Sequence, residues 1–203
     1  MKIALLGVTG NVGTRLLAEL LRRGHKVIGI ARYPDKVPVQ AGLTLKVGDV
    51  RNEAALSELL RDHDAVVHAV KFQSTDVHAV IDATKKASVP RLLVVGGAGT
   101  LEVAAGLQLV DTPDFPESYK GEALAGRDFL NVLRAERDLD WTFLSPSAEF
   151  APGKRTGKFR LGGDQLLTDE NGQSRISMED FAIALVDELE KPRHSRRRFT
   201  VGY

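Results

Sequence analysis

The sequence predicts an α/β domain built on a doubly wound, mostly parallel sheet, and three observations predict it. Short apolar runs rich in Val, Ile and Leu alternate with amphipathic helical patterns, the mark of strands buried on both faces by crossover helices. The first run, KIALLG, passes straight into three glycines spaced three apart and then into a helical pattern. The 203 residues include no cysteine, so disulfides, thiolate metal sites and a cysteine nucleophile are excluded and a packed core must hold the fold.

The elements follow in order. KIALLG (2–7) reads as a strand and NVGTRLLAELLRRG (11–24) as a helix closing on Gly24. KVIGIA (26–31) and LTLKV (43–47) read as the next strands. NEAALSELLRDH (52–63) places Leu56, Leu59 and Leu60 on one helical face. DAVVHAV (64–70) is a buried strand, a helix is expected over 76–87, and RLLVVGG (91–97) is the fifth strand. An irregular stretch with Pro113 and Pro116 leads to a helix expected over 119–137, then to the strand WTFLS (141–145). Past Pro146 the chain turns glycine-rich and polar, with short apolar pieces suited to a hairpin. Ser177 with Asp180 reads as a capping box for the helix 178–190, and RRFTVGY closes the chain as a last strand. One domain over 1–203 is expected, with residues 146–178 forming a small C-terminal lobe over the carboxyl ends of the strands.

Hydrophobic residues make up 43% and charged residues 27%, an ordinary globular balance, and the formal net charge is +1. No general field draws such a chain to nucleic acid or to anionic lipid, and no window approaches the roughly 20 apolar residues of a membrane span. KIALLG is too short for a signal peptide's apolar segment. A soluble cytoplasmic chain, monomer or homodimer, is expected. The five histidines show no metal-ligand spacing, so no metal site is expected. His68 lies inside an apolar strand as a core or pocket-wall residue, and KPRHSRRR (191–198) reads as a surface loop.

GVTGNVG (7–13) carries the clearest chemistry. Between a strand and a helix, Gly7 permits the sharp turn, Gly10 lets backbone approach a pyrophosphate, and Gly13 lets helix and strand pack closely. The helix terminus then offers free N–H groups and a positive dipole end to phosphate. Thr9, Asn11 and Val12 complete the loop. The fold is thus the dinucleotide-binding, Rossmann-type arrangement. At the end of the second strand, where an NAD enzyme carries a carboxylate for the ribose, this chain has Ala31 and Arg32, with Lys36 close behind. A guanidinium forks onto a 2′-phosphate, so NADP(H) is expected over NAD(H).

The wide G-x-x-G-x-x-G spacing, VGDVRN (47–52), LDWTFLSPSAEFAPGKRTGKFRLGGDQLL (139–167) and SRISMEDFAIALVDELE (174–190) together resemble the atypical short-chain dehydrogenase/reductases. The chain is most similar to their NAD(P)H-flavin reductases and biliverdin-IXβ-reductase-like proteins, relatives of the NmrA-like NAD(P)-binding proteins. The resemblance implies adenine contacts from Asp49 and Val50, and Ala69 and Val70 along the ribose and pyrophosphate. It implies hydride transfer from NADPH to a flavin such as FMN, or to a similar flat quinonoid substrate, in a pocket lined after strands five and six by Gly97, Ala98, Ser145, Pro146, Ser147 and Phe150. Ser147 falls near the place where the biliverdin-reductase-like proteins carry a histidine, which makes it the one catalytic candidate. Arg155, Lys158 and Arg160 are either contacts for a flavin phosphate or a solvated face. The Tyr-x-x-x-Lys pair of alcohol-oxidising relatives is absent: four residues after Tyr33 stands Val37, and four after Tyr119 stands Ala123. Ring-to-ring hydride transfer, with a proton from solvent, needs no such pair. A non-catalytic NAD(P)H-binding redox sensor remains the alternative.

Overall fold

The computed structural model describes residues 1–203. Its strands are β1 (Lys2–Leu6), β2 (Lys26–Ala31), β3 (Leu43–Val47), β4 (Ala65–His68), β5 (Arg91–Val95), β6 (Glu102–Ala104), β7 (Leu107–Gln108), β8 (Asp140–Ser145), β9 (Glu149–Ala151), β10 (Arg160–Gly162), β11 (Arg175–Ser177) and β12 (Arg197–Gly202). The helices are α1 (Asn11–Arg22), α2 (Glu53–Leu60), α3 (Val77–Lys86), α4 (Glu117–Ala135) and α5 (Met178–Glu190). No helix is long and apolar enough to cross a membrane.

Eight strands form the main sheet in the order β10-β12-β8-β5-β4-β1-β2-β3. All neighbours run parallel except β10, which lies antiparallel to β12 at the edge. The strand order reverses direction between β1 and β4, and in open α/β sheets ligands bind beyond the carboxyl ends of the strands at such a switch point.

The apolar runs are continuous because both faces of the central strands are covered. Along β1, Ile3 and Leu5 face a core shared with Leu16 and Leu20 of α1 and Phe181 and Leu185 of α5. Ala4 and Leu6 face the opposite core, with Leu56 and Leu60 of α2, Val80 of α3, and Phe129, Leu130 and Leu133 of α4. Fully burying each of these large side chains stabilises the fold by about 1.5–3 kcal/mol.

Several expectations from the sequence are corrected. The segment 146–178 holds no hairpin: β9 pairs with β11 in parallel, as a separate two-stranded sheet, and β10 joins the main sheet. The irregular stretch before α4 contains the small β6–β7 hairpin, turned at Gly106 with φ +75°. The second helix stops at Leu60, where the chain turns extended at Arg61 with ψ 146° and then left-handed at Asp62 with φ +63°. Ser177 does cap α5 by accepting from the Asp180 amide, but the Asp180 carboxylate does not reach back to complete a box. It accepts instead from the Thr156 and Gly157 amides and the Thr156 and Tyr203 hydroxyls, fastening the loop before β10. That loop is long and has no regular structure of its own, so a local helix signal was the wrong guide to what Asp180 does.

Candidate functional site

β1 delivers Gly7 to the sheet edge with φ +85°, a conformation glycine adopts freely. Its amide donates to the Ile30 carbonyl at 2.9 Å, and a Cβ here would meet the Ala69 carbonyl oxygen at 2.6 Å. The turn closes through the Gly10 amide, which donates to the Gly7 carbonyl at 3.0 Å. Gly13 is required more strictly: a Cβ there would stand 2.0 Å from the Gly7 oxygen. The loop therefore lies flat against the start of α1, with Thr9 and Asn11 exposed beside it and Val12 half-buried. Gly10 caps α1 without a side chain, and the first turn carries no acidic residue. The leading N–H groups of the helix have no intrahelical partner, so this end suits an anion. A backbone cradle that side chains would fill fits the pyrophosphate of a dinucleotide.

The other residues expected on the nucleotide side follow β2, β3 and β4. Arg32 is exposed and makes no ion pair, while the exposed Lys36 ends a 3-10 turn over Pro34–Lys36 whose first residue, Pro34, is buried. Asp49 is gripped by Arg51, whose amide, Nε and Nη2 donate at 2.9, 3.1 and 2.7 Å. These bonds hold the carboxyl down to about 2, with the charge of Arg32 adding to the effect. The Arg51 contact was not legible in the sequence, because it competes for the carboxylate that the resemblance assigns to adenine. Val50 turns inward and joins the core above α2. Ala69 and Val70 are half-buried, with the Ala69 carbonyl against Gly7.

Across the switch point lies a cleft of about 730 Å³, walled by residues that follow β4, β5 and β8 and by the start of α4. Of the residues expected there, Gly97, Ala98, Pro146, Ser147 and Phe150 line it. Ser145 does not: it is fully buried behind the wall, its carbonyl accepting from the Thr200 hydroxyl at 2.9 Å. Ser147 is 1% exposed, and its hydroxyl donates to the Val201 carbonyl at 3.0 Å, so its proton is committed to the sheet. Gly96 supports the floor, where a Cβ would sit 2.3 Å from the Phe143 ring.

One wall of the cleft was missed from the sequence. Tyr119, Glu122, Ala123 and Gly126 of α4 all face it, joined by Asp114 and Phe115 from the preceding loop. Their spacing of three and four was the available signal, since it places them on one helical face. The Glu122 carboxylate accepts from the Phe72 and Gln73 amides at 2.7 and 3.2 Å, which fixes the 3-10 turn over Phe72–Ser74 and sets the Phe72 ring in the wall. That ring stacks on Phe143 with centroids 5.9 Å apart.

His68 is completely buried; its Nε2 lies 3.1 Å from the Thr75 hydroxyl and its Nδ1 has no partner. Burial pushes its pKa down to about 4. Two of the three basic candidates after β9 are tied elsewhere. Arg155 donates twice to Glu19 at 2.9 Å, and Arg160 donates to the Thr168 and Tyr203 carbonyls. Arg198, the last residue of the basic run and the second of β12, is buried in a strand where a surface loop was expected, and it bonds Asp164 through Nε at 2.7 Å.

Comparison with known proteins agrees with this arrangement. The model of the NAD(P)H-binding family matches residues 7–192. A Burkholderia pseudomallei structure described as a candidate exported protein is 46% identical, with a TM-score of 0.91 and full coverage of both chains. A Bacteroides thetaiotaomicron structure described as a candidate epimerase is 42% identical, with a TM-score of 0.95 over 100% of this chain and 96% of that one. A Streptococcus pneumoniae structure described as a candidate NADH-flavin reductase is 34% identical, with a TM-score of 0.86 over 100% and 99%. The family match spans the glycine loop, both walls of the cleft and α5, and the chain belongs to the NAD(P)H-binding family of atypical short-chain dehydrogenase/reductases.

Proposed function

We propose that the chain is an NADPH-dependent reductase that passes hydride to a flat quinonoid ring, such as a flavin, held in the cleft between β5, β8 and α4. One observation carries this reading: the glycine cradle and an aromatic-walled cleft open on the same edge of the sheet, on either side of the switch between β1 and β4. A dinucleotide whose pyrophosphate lies on the α1 terminus spans that edge, and its dihydronicotinamide supplies two electrons as hydride. The protein positions the two rings and keeps them in an apolar setting, which is the main requirement of such a transfer.

The acid–base inventory supports ring reduction over alcohol chemistry. Tyr119 stands on the cleft wall, but the residue one turn on is Ala123, so the tyrosine has no lysine partner for a proton relay. The Ser147 proton is engaged by Val201. Solvent supplies the proton that a reduced ring takes up. The flavin reading also draws on the name of the Streptococcus pneumoniae relative. Arg32, unpaired beside Asp49, is the residue assigned to the 2′-phosphate, and residues 146–178 form the lobe that covers the acceptor.

The lack of a relay pair in the cleft equally favours a second reading, a module that binds the dinucleotide and signals its redox state. Mixing the purified protein with NADPH and a panel of flavins and quinones separates the two. Turnover at 340 nm supports the reductase; NADPH that binds and stays reduced with every acceptor supports the sensor.

A further inference from the structure

The charge of the cleft limits what it accepts. Asp114, Glu122 and Glu149 are among its 22 lining residues, and no lysine, arginine or histidine is. The rest of the surface is chiefly apolar or aromatic, with Phe72, Phe115, Tyr119, Phe143 and Phe150 contributing rings. Four arginines around the cleft are committed. The Arg198 guanidinium touches the Thr100 hydroxyl behind the wall, but its side chain is 2% exposed and is paired with Asp164. Arg127, on the outer side of α4, donates to both Asp111 oxygens at 2.9 Å. Of the sequence's three candidates for a flavin phosphate, Arg155 and Arg160 are spent on Glu19 and on backbone carbonyls, and all three, Lys158 included, lie outside the cleft.

We propose that this cleft selects flat acceptors without negative charge, such as quinones and the unphosphorylated flavin, and discriminates against flavin phosphates and carboxylated tetrapyrroles. The inference rests on the placement of the acceptor in the cleft given above, and it adds the chemical class. An anionic group entering here meets three acidic side chains and finds no cation among the lining residues to pair with, and the exposure of Asp114 and Glu149 leaves this repulsion partly screened. The phosphates of a bound dinucleotide add to the same negative field. Stacking on the rings is indifferent to the phosphate, so discrimination falls on the charge alone.

A second hollow lies on the far side of β9 and shares Glu149 and Ala151 with the cleft. It carries Lys154, Lys158 and Arg175, the one place nearby where a flavin phosphate would find cations. An acceptor with its ring in the cleft and its phosphate across β9 is the competing arrangement.

The test compares matched pairs. Riboflavin and FMN are titrated by flavin fluorescence into protein saturated with NADP+, and 1,4-naphthoquinone and its 2-sulfonate, whose ring is no harder to reduce, are compared as oxidants of NADPH. Riboflavin binding and the naphthoquinone kcat/KM are expected to exceed those of the anionic partners about tenfold. In the Asp114→Asn/Glu149→Gln double variant the gap closes because FMN binding tightens relative to riboflavin binding, whereas a merely structural lesion weakens both flavins together. Equal or preferential binding of FMN by the wild type overturns the selectivity and points to the cations across β9. Riboflavin selectivity without NADPH oxidation keeps the inference and removes the reductase reading. Protein that binds neither flavin and reduces neither quinone overturns both.

Discussion

Arg155 and Glu19 form a two-pronged ion pair, with Nε and Nη2 each 2.9 Å from a carboxylate oxygen, that ties the loop after β9 to the buried face of α1. Glu19 is 3% exposed, and the bonds from Arg155 are the foremost cause of its lowered pKa. The pair joins the segment that borders the cleft to the helix whose terminus forms the cradle.

Arg155→Ala removes two bonds from a buried carboxylate that retains only Arg22 and Arg23. A loss of about 1–3 kcal/mol is expected, read as a fall in Tm. Cleavage by trypsin at Lys154 and Lys158 should quicken in the same variant. An unchanged cleavage rate contradicts the fastening role of the pair.

The glycine loop makes a graded prediction. A Cβ at Gly13 stands 2.0 Å from the Gly7 oxygen, while one at Gly10 stands 3.3 Å away from it. Gly13→Ala should cost about 3 kcal/mol or more and abolish NADPH binding, because helix and turn must separate. Gly10→Ala should fold and bind measurably. Fluorescence titration with NADPH checks the order, and equal behaviour of the two variants counts against the cradle.

Arg32 is exposed and unpaired, so changing it perturbs the cofactor preference with little effect on the fold. Arg32→Asp is expected to lower the NADPH-to-NADH ratio of kcat/KM by about 100-fold, the worth of a charge-assisted fork to phosphate. A ratio that stays put removes Arg32 as the discriminator.

His68 predicts a pH dependence. Its pKa falls from the ordinary 6.5 to about 4 because burial disfavours the imidazolium. The unfolded chain therefore binds a proton that the native chain refuses, and stability present above pH 6.5 drains away as the pH falls toward 4. Between pH 7 and pH 4.5 this amounts to about 2 kcal/mol, which denaturant midpoints in His68→Gln, lacking the titration, should fail to show. Glu19, with its lowered pKa, acts further down, its contribution falling away as the pH drops from the ordinary 4.5 toward its lower native value.

The sheet was legible because parallel strands covered on both faces must read as unbroken apolar runs, as Ala65–His68 and Arg91–Val95 nearly do. The cradle was legible because a Cβ is sterically barred at two fixed places within seven residues. What escaped were pairings between distant residues. Arg155 reaches back 136 positions to Glu19, and β9 pairs with β11 across two dozen residues of chain. No local period announces such contacts. The grip of Arg51 on Asp49 was close in sequence yet hidden, since either side chain is equally at home on a solvated loop. The wall given by Tyr119, Ala123 and Gly126 was readable as a helical stripe, but helical spacing alone does not say which surface such a stripe faces.

The central claim is that one dinucleotide runs from the glycine cradle to the cleft and presents its reacting carbon there. A crystal structure with NADP+ tests it most directly. The account predicts the pyrophosphate on the Asn11, Val12 and Gly13 amides and the nicotinamide ring open to the cleft between Gly97 and Ser147. A nicotinamide turned away from the cleft, or a pyrophosphate bound anywhere but the terminus of α1, would contradict it.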